Sequence, residues 1–142
     1  MVVRRLEHCN IRTTKYAETV KFYDDLLGMK VRRAPMAPAD LPPTWIYDDS
    51  GVAAIHLTPV DPNDVLGSYA RIGRYRGGDP NPAFEGSGAI DHIAFECEGF
   101  DGMRARLEGL QLAFVENAFP SAGLRQLFVQ DPNGVTLELN FR

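Results

Sequence analysis

The chain has 142 residues, 44% hydrophobic, 24% charged and 10% aromatic, which describes one globular domain able to bury a core and excludes a disordered scaffold. The net charge of −4, with no basic run to track a phosphate backbone, excludes nucleic acid as an expected partner. No segment approaches the ~20 apolar residues of a bilayer span, and Met1-Val2-Val3-Arg4-Arg5 leads into a polar strand rather than an apolar leader, so a cytoplasmic protein with no membrane partner is expected.

In chain order, Arg4 to Thr13 alternates as a half-buried strand, with Cys9, Ile11 and Thr13 on one face and His8, Asn10 and Arg12 on the other. Ala17, Val20, Tyr23, Leu26 and Leu27 then recur at helical spacing, with Thr14 as N-cap and Gly28 as the left-handed terminator. Met29 to Arg33 predicts a second strand. A loop carrying Pro35, Pro38, Pro42 and Pro43 precedes a third, Trp45-Ile46-Tyr47, and Gly51 opens a tight turn. Val52 to Leu57 predicts a fourth strand, with Ala53, Ile55 and Leu57 on the apolar face and His56 opposite, beside Ala54 and Thr58.

Pro59 to Gly88 reads as a long irregular connection, either a functional lid or a solvated linker, to which Arg71, Arg74, Tyr75 and Arg76 bring cationic and aromatic groups. The pattern then restarts. Ala89 to Cys97 alternates with His92 on its polar face, and a helix from Asp101 carries Met103, Leu107 and Leu110. Strands over Ala113 to Ala118, Gln126 to Gln130 and Val135 to Phe141 follow, the last two joined by the turn Asp131-Pro132-Asn133-Gly134. Glu138, with Thr136 and Asn140, lies opposite the apolar face of the last strand. The chain is thus read as module one (1–58), a connection (59–88) and module two (89–142). Cys9 and Cys97 are expected as buried free thiols.

Leu6-Glu7-His8 aligns with Ile90-Asp91-His92 at an offset of 84 residues. His8 to His56 spans 48 residues and His92 to Glu138 spans 46. The start of each module therefore carries a histidine and its end a second metal-capable residue, all four on polar strand faces. If the modules pack as pseudo-symmetric sheets, three imidazoles and one carboxylate converge, and that donor set suits a divalent metal: Zn, Ni, Fe, Mn or Co.

The strand–helix–three-strand repeat, the two histidine starts, Tyr23-Asp24-Asp25-Leu26-Leu27-Gly28-Met29 and Asp131-Pro132-Asn133-Gly134-Val135-Thr136-Leu137-Glu138 resemble the vicinal oxygen chelate superfamily. That superfamily includes glyoxalase I, type I extradiol dioxygenases and bleomycin-binding proteins. The resemblance implies an α+β fold of paired βαβββ modules forming a cupped, partly open barrel-like sheet with helices outside. It also implies a divalent metal at His8, His56, His92 and Glu138, with His56 and Glu138 the catalytic pair. Trp45, Tyr47, Phe119 and Phe128 are expected to wall the site against water, and Arg12 and Arg125 to hold an anionic group of a small-molecule substrate.

Within the superfamily, four ligand-like residues point to a lyase or isomerase of the glyoxalase (lactoylglutathione lyase) type. Relatives of glyoxalase I usually carry a carboxylate at the position of His56. The Fe(II)-dependent extradiol dioxygenases instead use the equivalents of His8, His92 and Glu138 as ligands with an acid–base histidine near His56, and have a tyrosine where Phe128 stands. A third alternative is a non-catalytic small-molecule or antibiotic-binding protein of the same fold. A homodimer is implied by the resemblance and by open sheet edges.

Overall fold

The structure, a computed structural model, describes residues 4–33, 37, 39, 41–68 and 83–142. The chain divides into two units, Met1–Phe84 and Glu85–Arg142. Pro35, Pro38, Arg71, Arg74, Tyr75 and Arg76, singled out in the sequence, lie outside the described residues.

In the first unit, β1 (Cys9–Thr13) leads to α1 (Tyr16–Lys21), which widens into a π-helical turn over Phe22–Leu26; β2 (Lys30–Arg32), β3 (Trp45–Tyr47) and β4 (Ala53–Pro59) follow. The sheet order is β1-β4-β3-β2, with β1 parallel to β4 and the other pairs antiparallel. The alternation of the sequence is expressed directly: Ile11, Ile46, Ile55 and Leu57 are buried on one face, whereas Asn10, His56 and Trp45 share the other by register.

Three expectations shift. The first strand begins at Cys9 rather than Arg4, leaving His8 at its threshold. The fourth runs on to Pro59. The expected Thr14 cap is absent: Lys15 is the N-cap, with no side-chain cap bond, and Thr13 Oγ1 accepts the Lys15 N–H at 2.9 Å and lies 3.1 Å from Thr19 Oγ1, tying β1 to α1. Gly28, at φ +69°, ends the helix as expected. Its N–H bonds to Asp24 O, and the Met29 N–H reaches back to Tyr23 O.

The second unit repeats the plan: β5 (Ile93–Cys97), α2 (Phe100–Gly109), β6 (Phe114–Phe119), a 3-10 turn at Pro120–Ala122, β7 (Leu124–Gln130) and β8 (Thr136–Phe141). Its sheet order is β5-β8-β7-β6, again with the first pair parallel. Leu127, Leu137 and Leu139 are fully buried on one face, where Phe100 of α2 meets Phe141 edge-on at 5.2 Å.

Both β3–β4 and β7–β8 turn in the same way. Asp48 Oδ1 accepts the Val52 N–H at 2.8 Å. Asp131 Oδ1 accepts those of Asn133 and Val135 at 2.8 and 2.9 Å. Gly134 takes φ +75° and could not be replaced without strain, since a Cβ there would also stand 3.2 Å from Gly86 N. The fold is α+β, built on two four-stranded mixed sheets. Neither closes into a barrel: each ends on two edge strands.

Candidate metal centre

On the polar face of the first sheet, register places Asn10, His56, Trp45 and Arg32 in one row across β1, β4, β3 and β2. On the second sheet the corresponding row is Ala94, Glu138, Phe128 and Val115, across β5, β8, β7 and β6. His56 and Glu138 therefore occupy the same place in the two sheets, each beside an aromatic residue on the neighbouring strand. His8 and His92 stand just before β1 and β5, two residues ahead of Asn10 and Ala94.

In the first unit, the Trp45 indole lies flat on His56, with ring centroids 4.2 Å apart and planes 6° from parallel. It meets His8 edge-on at 4.9 Å. The two imidazoles are 6.1 Å apart. Such stacking holds the rings in place by about 1 kcal/mol each beyond the area they bury. His8 Nδ1 is buried without a hydrogen-bond partner; Glu7 Oε2 stands 3.9 Å away. An orphaned buried imidazole nitrogen is a lone pair suited to an ion.

The second unit places His92 between two carboxylates. Nδ1 is 2.8 Å from Asp91 Oδ2, and Nε2 is 2.9 Å from Glu138 Oε2. A carboxylate only accepts, so Nδ1 donates to Asp91, and Glu138 faces Nε2 as an ion-pair partner. The hydrogen bond to Asp91, with the charges of Glu138 and Asp91 behind it, raises His92 above the usual imidazole range against partial desolvation. Phe128 meets the His92 ring edge-on at 6.0 Å, as Trp45 meets His8. Glu138 Oε1 is occupied differently: Gln126 Nε2 donates to it at 2.7 Å and Asn140 Nδ2 at 2.8 Å.

These residues fit a divalent metal. A ligating histidine characteristically gives its second N–H to a carboxylate, and a ligating carboxylate is itself hydrogen-bonded. His92 with Asp91, and Glu138 with Gln126 and Asn140, meet both conditions. The donors stand as two pairs, His8 with His56 and His92 with Glu138. Among the described residues, no group of three or more His, Cys, Asp or Glu side chains is placed as the ligands of an ion.

The expected substrate-binding residues divide. Trp45 and Phe128 touch the candidate donors. Tyr47 lies 5.2 Å beneath the Arg32 guanidinium. Arg12 points along β1 to the Phe84 ring at 5.8 Å. Phe119 is exposed at the far end of β6. Arg125 is on the helix-facing side of β7, opposite to Gln126 and Phe128, where it covers Phe100 at 3.9 Å and pairs with Asp101 at 3.3 Å. Alternation assigns that face, since Arg125 precedes the buried Leu127 by two residues. Asp91, Gln126 and Asn140 were not anticipated as partners of the donors. The signal was present in the polar residues on the Glu138 face of β7 and β8.

The sequence profile described as "Glyoxalase/Bleomycin resistance protein/Dioxygenase superfamily" matches residues 5–139. Glyoxylase I 4 of Arabidopsis thaliana is 24% identical over 136 residues, spanning 94% of this chain and 68% of that protein. Among solved structures, the trypanothione-dependent glyoxalase I of Leishmania major has a TM-score of 0.61 at 23% identity, over 96% of this chain and 86% of that one. TnmS3, an antibiotic-binding protein from Streptomyces sp. CB03234, has a TM-score of 0.62 at 15% identity, over 99% and 98%. With the profile matched over nearly its whole length, the chain belongs to the glyoxalase/bleomycin resistance protein/dioxygenase superfamily.

Proposed function

We propose that the protein is a metal-dependent lyase or isomerase of the glyoxalase type, acting on a small vicinal-oxygen substrate, with a divalent metal held by His8, His56, His92 and Glu138. The observation that carries the reading is the matched placement of His56 and Glu138 in two sheets of the same strand order, each accompanied by a histidine at the threshold of the first strand. The relationship to glyoxylase I 4 of Arabidopsis thaliana supports the same class of reaction.

When bound, the ion supplies Lewis acidity toward the vicinal oxygens of the substrate. The chain's own groups do the rest. Glu138 and His56 are the groups assigned to take up and pass on a substrate proton. Trp45 and Phe128 exclude water beside them and contact the substrate body.

Substitution of His56 tests the reading. Protein reconstituted with Zn, Ni or Co is expected to retain one ion per chain by elemental analysis, and His56→Ala to lose both the ion and turnover of oxoaldehyde–thiol adducts. An ion retained by His56→Ala with turnover lost contradicts four-donor ligation and favours the Fe(II) ring-cleaving alternative, in which His56 is an acid–base group. An absence of ion from the wild-type protein contradicts both and favours a small-molecule-binding protein.

We also propose a homodimer with a cytoplasmic location. Leu6, Ile90 and Val115, at or beside edge strands, are 84%, 63% and 60% exposed, and such edges are covered in stable proteins. Sedimentation at micromolar concentration is expected to give the dimer mass; a monomer contradicts it.

A further inference from the structure

Glu138 is held by a closed ring of hydrogen bonds from two side-chain amides. Gln126 and Asn140 face each other across β7 and β8, and Asn140 lies two residues beyond Glu138 on the same strand face. Gln126 Nε2 uses its two hydrogens on Glu138 Oε1 and Asn140 Oδ1, at 2.7 and 2.9 Å. Asn140 Nδ2 donates to the same Oε1 at 2.8 Å. The three bonds fix both amide orientations, because a reversal of either would set an amide oxygen against the carboxylate. On the first sheet, Thr58, two residues beyond His56 as Asn140 is beyond Glu138, donates its Oγ1 hydrogen to Asn10 Oδ1 on β1 at 3.0 Å.

A carboxylate can bind a metal through one oxygen or two, and the choice decides how many coordination positions remain for substrate. Here Oε1 carries two amide hydrogens, while Oε2 faces His92 Nε2 at 2.9 Å. We propose that Gln126 and Asn140 are positioning residues that hold Glu138 to one-oxygen binding through Oε2, leaving a coordination position open for substrate. The proposal rests on the metal-binding reading above. The amides act through Glu138 and touch neither ion nor substrate.

The test uses the full-length protein loaded with Co2+. Affinity is measured by calorimetry, and the carboxylate binding mode by infrared difference spectroscopy with 13C-labelled glutamate, in which the splitting of the two carboxylate stretches is wide for one-oxygen and narrow for two-oxygen binding. Gln126→Leu and Asn140→Ala are each expected to weaken Co2+ binding by about 10- to 100-fold, the range for lost partners of a ligand, and to narrow the splitting. Gln130→Leu, on the same face of β7 opposite Thr136, is expected to change neither. If one variant does not fold by circular dichroism, the other carries the test. Folded variants with wild-type affinity and splitting overturn the positioning role alone. Wild-type protein that binds no Co2+ overturns the metal reading and this proposal together.

Discussion

The ring of His92 is held at both nitrogens, and its proton inventory follows from that. With Asp91 at Nδ1 and Glu138 at Nε2, the imidazolium form is favoured and the group titrates above its ordinary value of 6.5. A raised histidine stabilises the metal-free fold fully below the unfolded value, and that contribution is lost as pH rises through the higher folded value. NMR titration of the metal-free protein is expected to place His92 above 6.5, and Asp91→Asn to move it down. An unchanged midpoint in Asp91→Asn would show that the Asp91 bond does not set it. In the proposed centre, loading displaces a proton from His92 Nε2, so metal affinity is expected to rise with pH. Cys97 is the opposite kind of group: burial pushes its thiol up. Cys9 and Cys97 are both free, as expected, but half-buried rather than buried.

Elements in the two units end alike, and the differences between them carry energetic consequences. Gly28 closes the first helix in the left-handed region at φ +69°. The corresponding residue after α2 is Gln111 at φ +56°, with its N–H on Glu108 O and the Leu112 N–H on Leu107 O. A side chain in that conformation costs about 1 kcal/mol relative to glycine. Gln111→Gly is therefore expected to raise unfolding stability by up to about 1 kcal/mol in urea denaturation, with no change in metal content; a loss of stability would contradict the assigned strain. Most elements were legible because alternation and helical spacing report local burial: Trp45-Ile46-Tyr47 is a strand at the expected residues, and Leu127, Leu137 and Leu139 are buried as their period requires. Strand beginnings were less legible. Alternation continues through Arg4 to His8, but the ladder with β4 begins only at Cys9, opposite Ile55, and a partner's length is not written in the strand itself. The Thr14 cap was not legible for a similar reason: the helix begins after Lys15 without a side-chain cap, and the contact of Thr13 with Thr19 joins β1 to α1 there.

At the scale of the whole molecule, one strand plan written twice explains why few functional residues suffice. The repeat matches His8 with His92 and His56 with Glu138, and the proposed donor set is therefore three imidazoles and one carboxylate. The four proposed donors were singled out by spacing, because each reads on a polar strand face at a repeated position. Their supports were not: Gln126 and Asn140 become partners of Glu138 only once β7 and β8 are in register, and Arg125 acquires its role from α2 through Phe100 and Asp101. The aromatic companions follow the same repeat, Trp45 on His56 and His8, Phe128 on His92. X-ray absorption fine structure of the Co2+-loaded protein reads the donor set directly, because each bound imidazole adds a characteristic outer-shell scattering pattern. Scattering from three imidazoles, one for each histidine of the chain, together with oxygen donors, is the predicted result; a spectrum fitted by two imidazoles or fewer would contradict the four-donor centre.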